Sequence, residues 1–552
     1  MKTAHLDRYV IERLPPPSML PEFLFEPPEL RFPERLNCVA ELLDAWVQRG
    51  EGERLCVQGL APDGTPIRWT YAQLQAHSQR IAHVLVDDMG LVSGNRVLLR
   101  GGNSPLLAAC WLAVVRAGGI AVGSMPLLRA KELTQIIDKA QVSHALCDAR
   151  LAEELALARP GCPSLQQVRH FNGGELEALA AEKPAAFEPV ATHRDDPCII
   201  AFTSGTTGQP KGTVHFHRDV MAACACWPRH VLKPQASDVF IGSPPLAFTF
   251  GLGGLLLFPM SVGASTVLLE RASPETLPEA IARFGATTLI TAPTSYRAMA
   301  QALSAQADAL PGPSGKPGPS PLASLRQCVS AGEALPAATR AQWKAATGIE
   351  IIDGIGSTEL LHIFISHTEA EARPGATGKV VPGYLAAVLD EAGQPLPPGS
   401  VGRLAIKGPT GCRYLDDPRQ AQYVQNGWNL TGDAYLLDAD GYFHYQARTD
   451  DMIISGGYNI AGPEVEATLL LHPAVAECGV VAQADEERGQ IVKAVVVLKP
   501  GQAGDAVMTR TLQDFVKAQI APYKYPRAIE YRSSLPRTET GKLQRFKLRD
   551  PA

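Results

Sequence analysis

Nine consecutive residues, Thr203-Ser204-Gly205-Thr206-Thr207-Gly208-Gln209-Pro210-Lys211, combine two glycines, four hydroxyls and a lysine, and a second glycine-lysine pair, Gly541-Lys542, stands far downstream. Gly205 and Gly208 tolerate positive φ and let the backbone approach phosphate oxygens without a Cβ in the way. The hydroxyls of Thr203, Ser204, Thr206 and Thr207 rotate to donate, and Lys211 adds a point charge for an anion. Such a stretch can wrap a polyphosphate. It is not the nucleotide loop of kinases and GTPases, because no G-x-x-x-x-G-K-[ST] string surrounds it and Gly541-Lys542 is followed by Leu543.

The apolar run Cys198 to Phe202 reads as a buried strand directly before this stretch, so the glycines and hydroxyls fall where a strand opens into a loop. Other strand-like runs are Val97 to Leu99, Thr288 to Thr291 and Ile349 to Ile352, with amphipathic stretches such as Ser273 to Arg283 between them. That alternation predicts an α/β fold of parallel βαβ layers, whose ligands collect at the carboxyl ends of strands. No charged residue occurs between Asp238 and Glu270, a length that could span a bilayer. Pro244, Pro245 and Pro259 interrupt it, which favours buried strands joined by loops. The tract Pro311 to Pro321, rich in Pro, Gly and Ser, is expected to be a surface loop. A turn-rich passage from Thr431 to Asp451 precedes a smaller βα pattern. The division expected is therefore a large N-terminal domain of layered βαβ sheets, residues 1–449, and a smaller α+β domain, residues 450–552.

A chain of 552 residues is too long for one core. Its 45% hydrophobic and 19% charged residues place it with soluble globular proteins. A net charge of −5 gives no basic field for nucleic acid. The first residues lack the apolar core of a signal peptide, which points to the cytoplasm, and no membrane partner is expected. Eleven cysteines without metal spacing, the closest pair being Cys224 and Cys226, read as reduced core residues.

With both lysine motifs, Gly356-Ser357-Thr358-Glu359, Thr431-Gly432-Asp433 and Arg448-Thr449-Asp450-Asp451 in order, nearly the whole chain resembles the adenylate-forming superfamily of acyl-CoA synthetases, peptide-synthetase adenylation domains and luciferases. The strings Gly354 to Phe364 and Gly408 to Leu415 are more narrowly similar to benzoate-CoA and 2-aminobenzoate-CoA ligases. The resemblance implies attack of a carboxylate on the α-phosphate of ATP, giving an acyl-adenylate and pyrophosphate, then attack by the thiol of coenzyme A. It implies that the loop from Thr203 to Lys211 covers the β- and γ-phosphates, that Thr358 contacts phosphate, and that Glu359 supports Mg²⁺, a hard cation suited to carboxylate oxygen. Asp433 would hold both ribose hydroxyls with help from Arg448, and adenine would lie against Gly332-Glu333-Ala334 and Asp353-Gly354-Ile355. Lys542 would neutralise the reacting carboxylate and α-phosphate. Asp450 would be the hinge that withdraws Lys542 and brings up Gly456-Gly457-Tyr458 as a path for coenzyme A.

By the same resemblance the acyl pocket draws on Ala247, Phe248, Phe250, Tyr296, Ser330, Ala331, Gly356 and His362, flat and apolar walls that suit an aromatic ring. Phe248 stands where many relatives carry histidine. A small aromatic acid, ATP and coenzyme A are the expected partners, 2-aminobenzoate or benzoate the candidate acids, and a homodimer is compatible with them. Two alternatives stand beside this reading. An adenylating enzyme could load a carrier protein, against which the absence of a carrier domain after Lys542 counts. A non-catalytic nucleotide-binding homologue would be expected to lack one of Lys211, Glu359, Asp433 or Lys542, and all four are present. A luciferase-type oxygenase shares the first half-reaction.

Overall fold

The computed structural model describes residues 2–61, 63–203, 210–308, 320–448, 451–455, 458–485, 489–520, 522–537 and 543–549. Two large sheets dominate. One has nine strands, with a parallel centre formed by Leu55–Leu60, Ser265–Leu268, Val239–Gly242, Thr288–Thr291, Gln327–Ser330 and Ile351–Gly356, and antiparallel strands at both edges. The other has six, in the order Gln167–Phe171, His144–Asp148, Arg96–Arg100, Ile120–Ser124, Pro197–Thr203 and Lys211–Phe216. Its last two strands form the antiparallel hairpin that carries the Thr203 to Lys211 stretch at its tip.

The central parallel strands are buried over most of their length because helices cover both faces. Thr288 to Thr291 are all at most 0% exposed, and the β-branched, apolar content of that run is what such a position selects. Helices are set by local chemistry as well as burial. Ser104 accepts from the Leu107 amide at 3.1 Å ahead of Pro105, a cap and first-turn proline that start the buried helix Pro105–Arg116. Leu277–Phe284 ends at Gly285, whose φ is 61°.

Three runs differ from expectation. The stretch read as Ile349 to Ile352 forms the strand Ile351–Gly356, so Gly354 to Gly356 belong to the strand rather than to a loop after it. The helix within Ser273 to Arg283 begins at Leu277, the preceding residues forming a turn. The uncharged run between Asp238 and Glu270 holds strands at both ends, but a continuous helix over Thr249 to Ser261 joins them. Its middle, Gly253–Leu257, winds as a π-helix just before Pro259, so the missing proline N–H falls where the hydrogen-bond ladder already changes register. Among the described residues no helix is long and apolar enough to cross a membrane.

A third, antiparallel sheet includes Leu385–Leu389, Val401–Lys407, Trp428–Leu437 and Phe443–Arg448. Beyond Asp451 the chain forms a small hairpin, Ile453–Ser455 with Tyr458–Ile460, and a three-stranded sheet, Val475–Asp485, Gly489–Leu498 and Ala528–Tyr531. These pack with the helices Gly462–Leu469 and Ala506–Gln519 around a core of their own that includes Val465, Val480, Val492 and Leu512. Arg537 in this C-terminal region lies 3.8 Å from Glu333 after the strand Gln327–Ser330. All eleven cysteines are buried free thiols.

Candidate active site

Residues from all three large sheets meet at one point. Lys211 opens the second strand of the hairpin in the six-stranded sheet, Glu359 follows the carboxyl end of Ile351–Gly356 in the nine-stranded sheet, and Tyr414 leads from the strand Val401–Lys407 of the third. The Tyr414 hydroxyl donates to Glu359 Oε1 at 2.5 Å and accepts from Lys211 Nζ at 3.1 Å, while Lys211 lies 4.0 Å from the same carboxylate. Burial, and then the Glu359 charge, push the Tyr414 phenol far above its ordinary range, so it remains a donor. Among the described residues Glu359 Oε2 has no hydrogen-bond partner, which leaves one carboxylate oxygen to meet a hard cation; the residues present fit Mg²⁺ in that respect.

Behind Thr358 runs a buried polar chain. His215, on the strand Lys211–Phe216, approaches the Thr358 carbonyl with Nε2 at 2.7 Å; a carbonyl only accepts, so Nε2 carries the proton. Asp219 lies 3.8 Å from the other ring nitrogen and accepts from Arg413 at 2.7 Å. Burial acts to raise the Asp219 carboxyl, but the Arg413 charge and the His215 hydrogen bond outweigh it and hold the group at about 2. The hairpin therefore grips the loop that presents Thr358 and Glu359. Two residues on, Leu361 adopts φ 69°, a left-handed conformation unusual for leucine, and the Leu360 carbonyl accepts from Thr410 at 2.8 Å. Gly356 sits where a Cβ would come within 2.6 Å of the His362 carbonyl oxygen, so this turn of chain closes only on glycine.

Asp433 and Arg448 face each other across neighbouring strands, with Arg448 Nη1 3.2 Å from Asp433 Oδ1 and 3.2 Å from the Thr431 carbonyl. Gly432, at φ 77°, makes the bend before the aspartate. Asp353, which precedes Gly354 and Ile355, is buried, and that burial pushes its carboxyl up to about 7 against the pull of Arg340. Ser330 and Asp353 are register partners at the ends of adjacent strands. Gly332, φ 93°, starts the turn to Glu333 and Ala334. Thr203 Oγ1, Ser330 Oγ, Asp353 Oδ1 and His362 Nδ1 are each buried without a hydrogen-bond partner among the described residues. Atoms of this kind also occur elsewhere, Thr266 Oγ1 and Trp343 Nε1 among them; these four belong to residues expected from the sequence around a nucleotide and an acid.

His362 stands in an aromatic wall, its ring centroid 4.4 Å from Phe258, 5.5 Å from Trp227 and 5.6 Å from Phe250. Burial pushes the imidazole down to about 3 despite its contact with the Phe250 carbonyl, 3.4 Å from Nε2, so the ring is neutral. Phe248 and Phe250 are half-buried, Ala247 packs over Gly123, and Ala331 is buried. Tyr296 requires a correction. It does not join this wall: its ring packs edge-on against Trp343 at 4.8 Å, and its hydroxyl lies 2.9 Å from the Val329 carbonyl and 3.1 Å from that of Leu289, in the core on the opposite side of the sheet.

Ser204, Gly205, Thr206, Thr207, Gly208, Asp450, Gly456, Gly457 and Lys542 lie outside the described residues, as does most of the Pro311 to Pro321 tract; of Tyr458 the backbone is described, as the start of the strand Tyr458–Ile460. Sequence reasoning missed His215, Asp219, Arg413, Tyr414 and Tyr423, the last of which sits 3.3 Å from Ser357 Oγ through its hydroxyl. Arg413 and Tyr414 lay within a string quoted for its resemblance, and the bridge between Thr213 and Tyr414 that brings them here has no local signal.

Residues 43–413 match the AMP-binding enzyme family, and residues 464–542 match the AMP-binding enzyme C-terminal domain. The chain is 35% identical over 530 residues to a benzoate–CoA ligase of Thauera aromatica, covering 95% of this chain and 97% of the relative. A mitochondrial acyl-coenzyme A synthetase of Mus musculus is 32% identical, with 98% and 96% covered. Among solved structures, an anthranilate CoA ligase in complex with anthranoyl-AMP is similar with a TM-score of 0.84 at 35% identity, 94% of this chain and 97% of that chain being covered. A benzoate CoA ligase from Burkholderia xenovorans follows with a TM-score of 0.82 at 31% identity, covering 93% and 100%. With family matches over residues 43–413 and 464–542, and relatives matched along nearly its whole length, the chain belongs to the AMP-binding enzymes.

Proposed function

We propose that this acid–thiol ligase activates a small aromatic acid, with 2-aminobenzoate as first candidate and benzoate as second, and transfers the acyl group to coenzyme A. The observation that carries the choice is His362. Its Nε2 proton faces the Phe250 carbonyl, so the buried Nδ1 that has no partner is a lone-pair acceptor set among aromatic rings. An ortho amino group brings a donor for such an atom; benzoate brings none. A site built to bond a substrate N–H discriminates against the analogue that lacks it far more strongly than an apolar pocket does. The relatives support the class: one is named for benzoate, and one was solved with anthranoyl-AMP.

In this reading the acid's carboxylate attacks the α-phosphate, pyrophosphate leaves, and the thiol of coenzyme A then displaces AMP. Lys211 and the loop before it take the charge of the leaving pyrophosphate, Thr358 donates to phosphate, and Asp433 with Arg448 fixes the ribose. Mg²⁺, when bound at Glu359, neutralises phosphate charge. Tyr414 holds the Glu359 carboxylate in place for that role. Lys542 completes the charge compensation at the reacting carboxylate, and rotation of residues 450–552 about Asp450 removes it and presents Gly456, Gly457 and Tyr458 to the thiol arm.

A screen of pyrophosphate release over 2-aminobenzoate, benzoate, hydroxy- and halobenzoates and medium-chain fatty acids, with and without coenzyme A, tests the proposal. Thioester from 2-aminobenzoate, with benzoate at least tenfold poorer in kcat/KM, is the expected result. Equal use of both acids refutes the role of His362. Pyrophosphate release without any thioester favours the carrier-protein alternative.

A further inference from the structure

Arg537 stands at the foot of the segment that carries Lys542. Arg537 and Leu543 pair as an isolated antiparallel bridge that brackets residues 538–542, and the Gln544 amide donates to the Pro536 carbonyl at 2.9 Å. Leu535, Leu543 and Leu548 pack with Val481 and Val495 in a small cluster of their own. Gly479, on the strand Val475–Asp485, admits Leu543 here, because a Cβ at that position would come within 2.8 Å of Leu543 Cδ2. Apolar contacts thus fix this foot to the C-terminal sheet, and they hold equally well wherever that sheet lies against the rest of the chain.

Charge supplies the direction that those contacts lack. Arg537 Nη2 donates to Glu477 Oε2 at 2.9 Å, on the strand Val475–Asp485, while Nη1 lies 3.8 Å from Glu333 Oε1, in the turn after the strand Gln327–Ser330. A guanidinium can serve two carboxylates at once because its nitrogens form a planar fork. Among the described residues the contact with Glu333 is the one ion pair that joins residues 451–549 to residues 2–448. Arg297, on the helix Pro293–Asp308, comes to the same place from the other side: burial pulls its guanidinium below the ordinary range, Glu477 offsets this in part, and Arg537 adds to it. Each side of the boundary therefore brings one cation and one anion, Arg297 and Glu333 from the larger part, Arg537 and Glu477 from the C-terminal part. Opposite signs matched in this way fix the register of two surfaces more than they tighten it.

We propose that Arg537 is a positioning residue for the adenylation half-reaction: it holds Glu477 in both arrangements of the C-terminal region and Glu333 only in the one that brings Lys542 to the reacting carboxylate. This role rests on those proposed above for Lys542 and Asp450. A contact made in one arrangement and broken in the other shifts the equilibrium toward the first. Arg537 and Glu477 share a sheet and its apolar foot, so their bond travels with the region and keeps the guanidinium aimed. Re-forming the Glu333 contact then orders little that is not already ordered. The side chains of Arg537 and Glu333 are 30% and 21% exposed, so water screens the pair in part and its effect is a few-fold rather than a hundredfold. That suits an arrangement that must also be left.

The test separates the half-reactions in the full chain: pyrophosphate release at saturating ATP with 2-aminobenzoate or benzoate, whichever turns over faster, and thioester formation from the matching synthetic acyl-adenylate. Arg537→Gln should lower kcat for adenylation roughly three- to fivefold, with KM for ATP, Tm and thioester formation unchanged. Arg537→Lys, which keeps a cation, should recover most of that loss. Glu333→Gln should lower adenylation as well, and the double variant should fall no more than about twofold below the slower single variant, because both remove one contact. Losses that multiply in the double variant, or a loss shared equally by both half-reactions, overturn the assignment. If Arg537→Gln does not fold, Glu333→Gln decides alone, and equal loss in both half-reactions or none in either overturns it. Lys542→Ala is run alongside. Adenylation intact in Lys542→Ala refutes the role of the lysine and that of Arg537 with it, whereas adenylation lost there but untouched in Arg537→Gln overturns the role of Arg537 alone.

Discussion

His215→Leu removes the proton that the Thr358 carbonyl accepts at 2.7 Å and leaves that carbonyl without its donor at the back of the site. An orphaned buried acceptor costs about 1–3 kcal/mol. The loop that carries Thr358 and Glu359 can relieve this cost only by moving, which under the proposed function withdraws both residues from the phosphates. If the whole cost appears in the competent geometry, kcat/KM for adenylation falls by roughly 5- to 150-fold, at about 1.4 kcal/mol per tenfold. His215→Gln is the matched variant, because a glutamine amide can place an N–H near the position of Nε2. Both variants remove the imidazole beside Asp219, so the difference between them isolates the bond to Thr358. The assay is pyrophosphate release at saturating and limiting ATP, with the Tm of each variant measured alongside. Leucine should lose most of the rate and glutamine should recover at least a tenth of the wild-type value. Equal rates for the two variants at similar Tm would refute the reasoning.

Three further outcomes are expected. Lys542→Ala should lower adenylate formation by ~10²-fold or more while nearly sparing thioester formation from synthetic acyl-adenylate; rapid-quench assays of the two half-reactions check it, and an equal loss in both contradicts the assignment. Asp219 has its carboxyl depressed from 3.8 to about 2 in the fold, so the stability it contributes is present above pH 4 and lost as pH falls from about 4 to about 2. That contribution is worth about 2 kcal/mol, and urea titrations should show that Asp219→Asn removes this acid-dependent part, whereas an unchanged pH slope would exclude it. Tyr296→Phe should destabilise the chain by about 1 kcal/mol, through the Val329 and Leu289 carbonyls, with KM for acid and ATP unchanged; a raised KM for the acid would return Tyr296 to the pocket.

Much of the chemistry was legible because it lies in contiguous strings. Glycine, hydroxyl and lysine within one loop, or Thr358 beside Glu359, announce themselves by local spacing, and a parallel strand such as Thr288 to Thr291 shows its double-sided burial in its composition. What sequence reasoning could not reach are pairings between distant strands. Nothing near Tyr414 marks it as the partner of Lys211, and nothing near His215 marks Thr358. Tyr296 misled for a related reason: an aromatic residue after a strand can face either side of a sheet, and only the packing of Trp343 decides. Pro259 misled because a break in the hydrogen-bond ladder was taken for a break in the helix, whereas the π-helical turn at Gly253–Leu257 accommodates it.

The meeting of Lys211, Glu359 and Tyr414 also bears on how the enzyme is made. Tyr414 lies 203 residues from Lys211 and 55 from Glu359, and contacts so far apart form only after long loops have closed. During synthesis the phosphate loop, the acidic loop and the tyrosine emerge in turn, and the hairpin can fold long before its partner strand exists. A nascent or truncated chain that ends before residue 414 can fold much of the two large sheets and still hold Glu359 without its phenol. The hold of Tyr414 on the Glu359 carboxylate therefore comes late in the assembly of the large region.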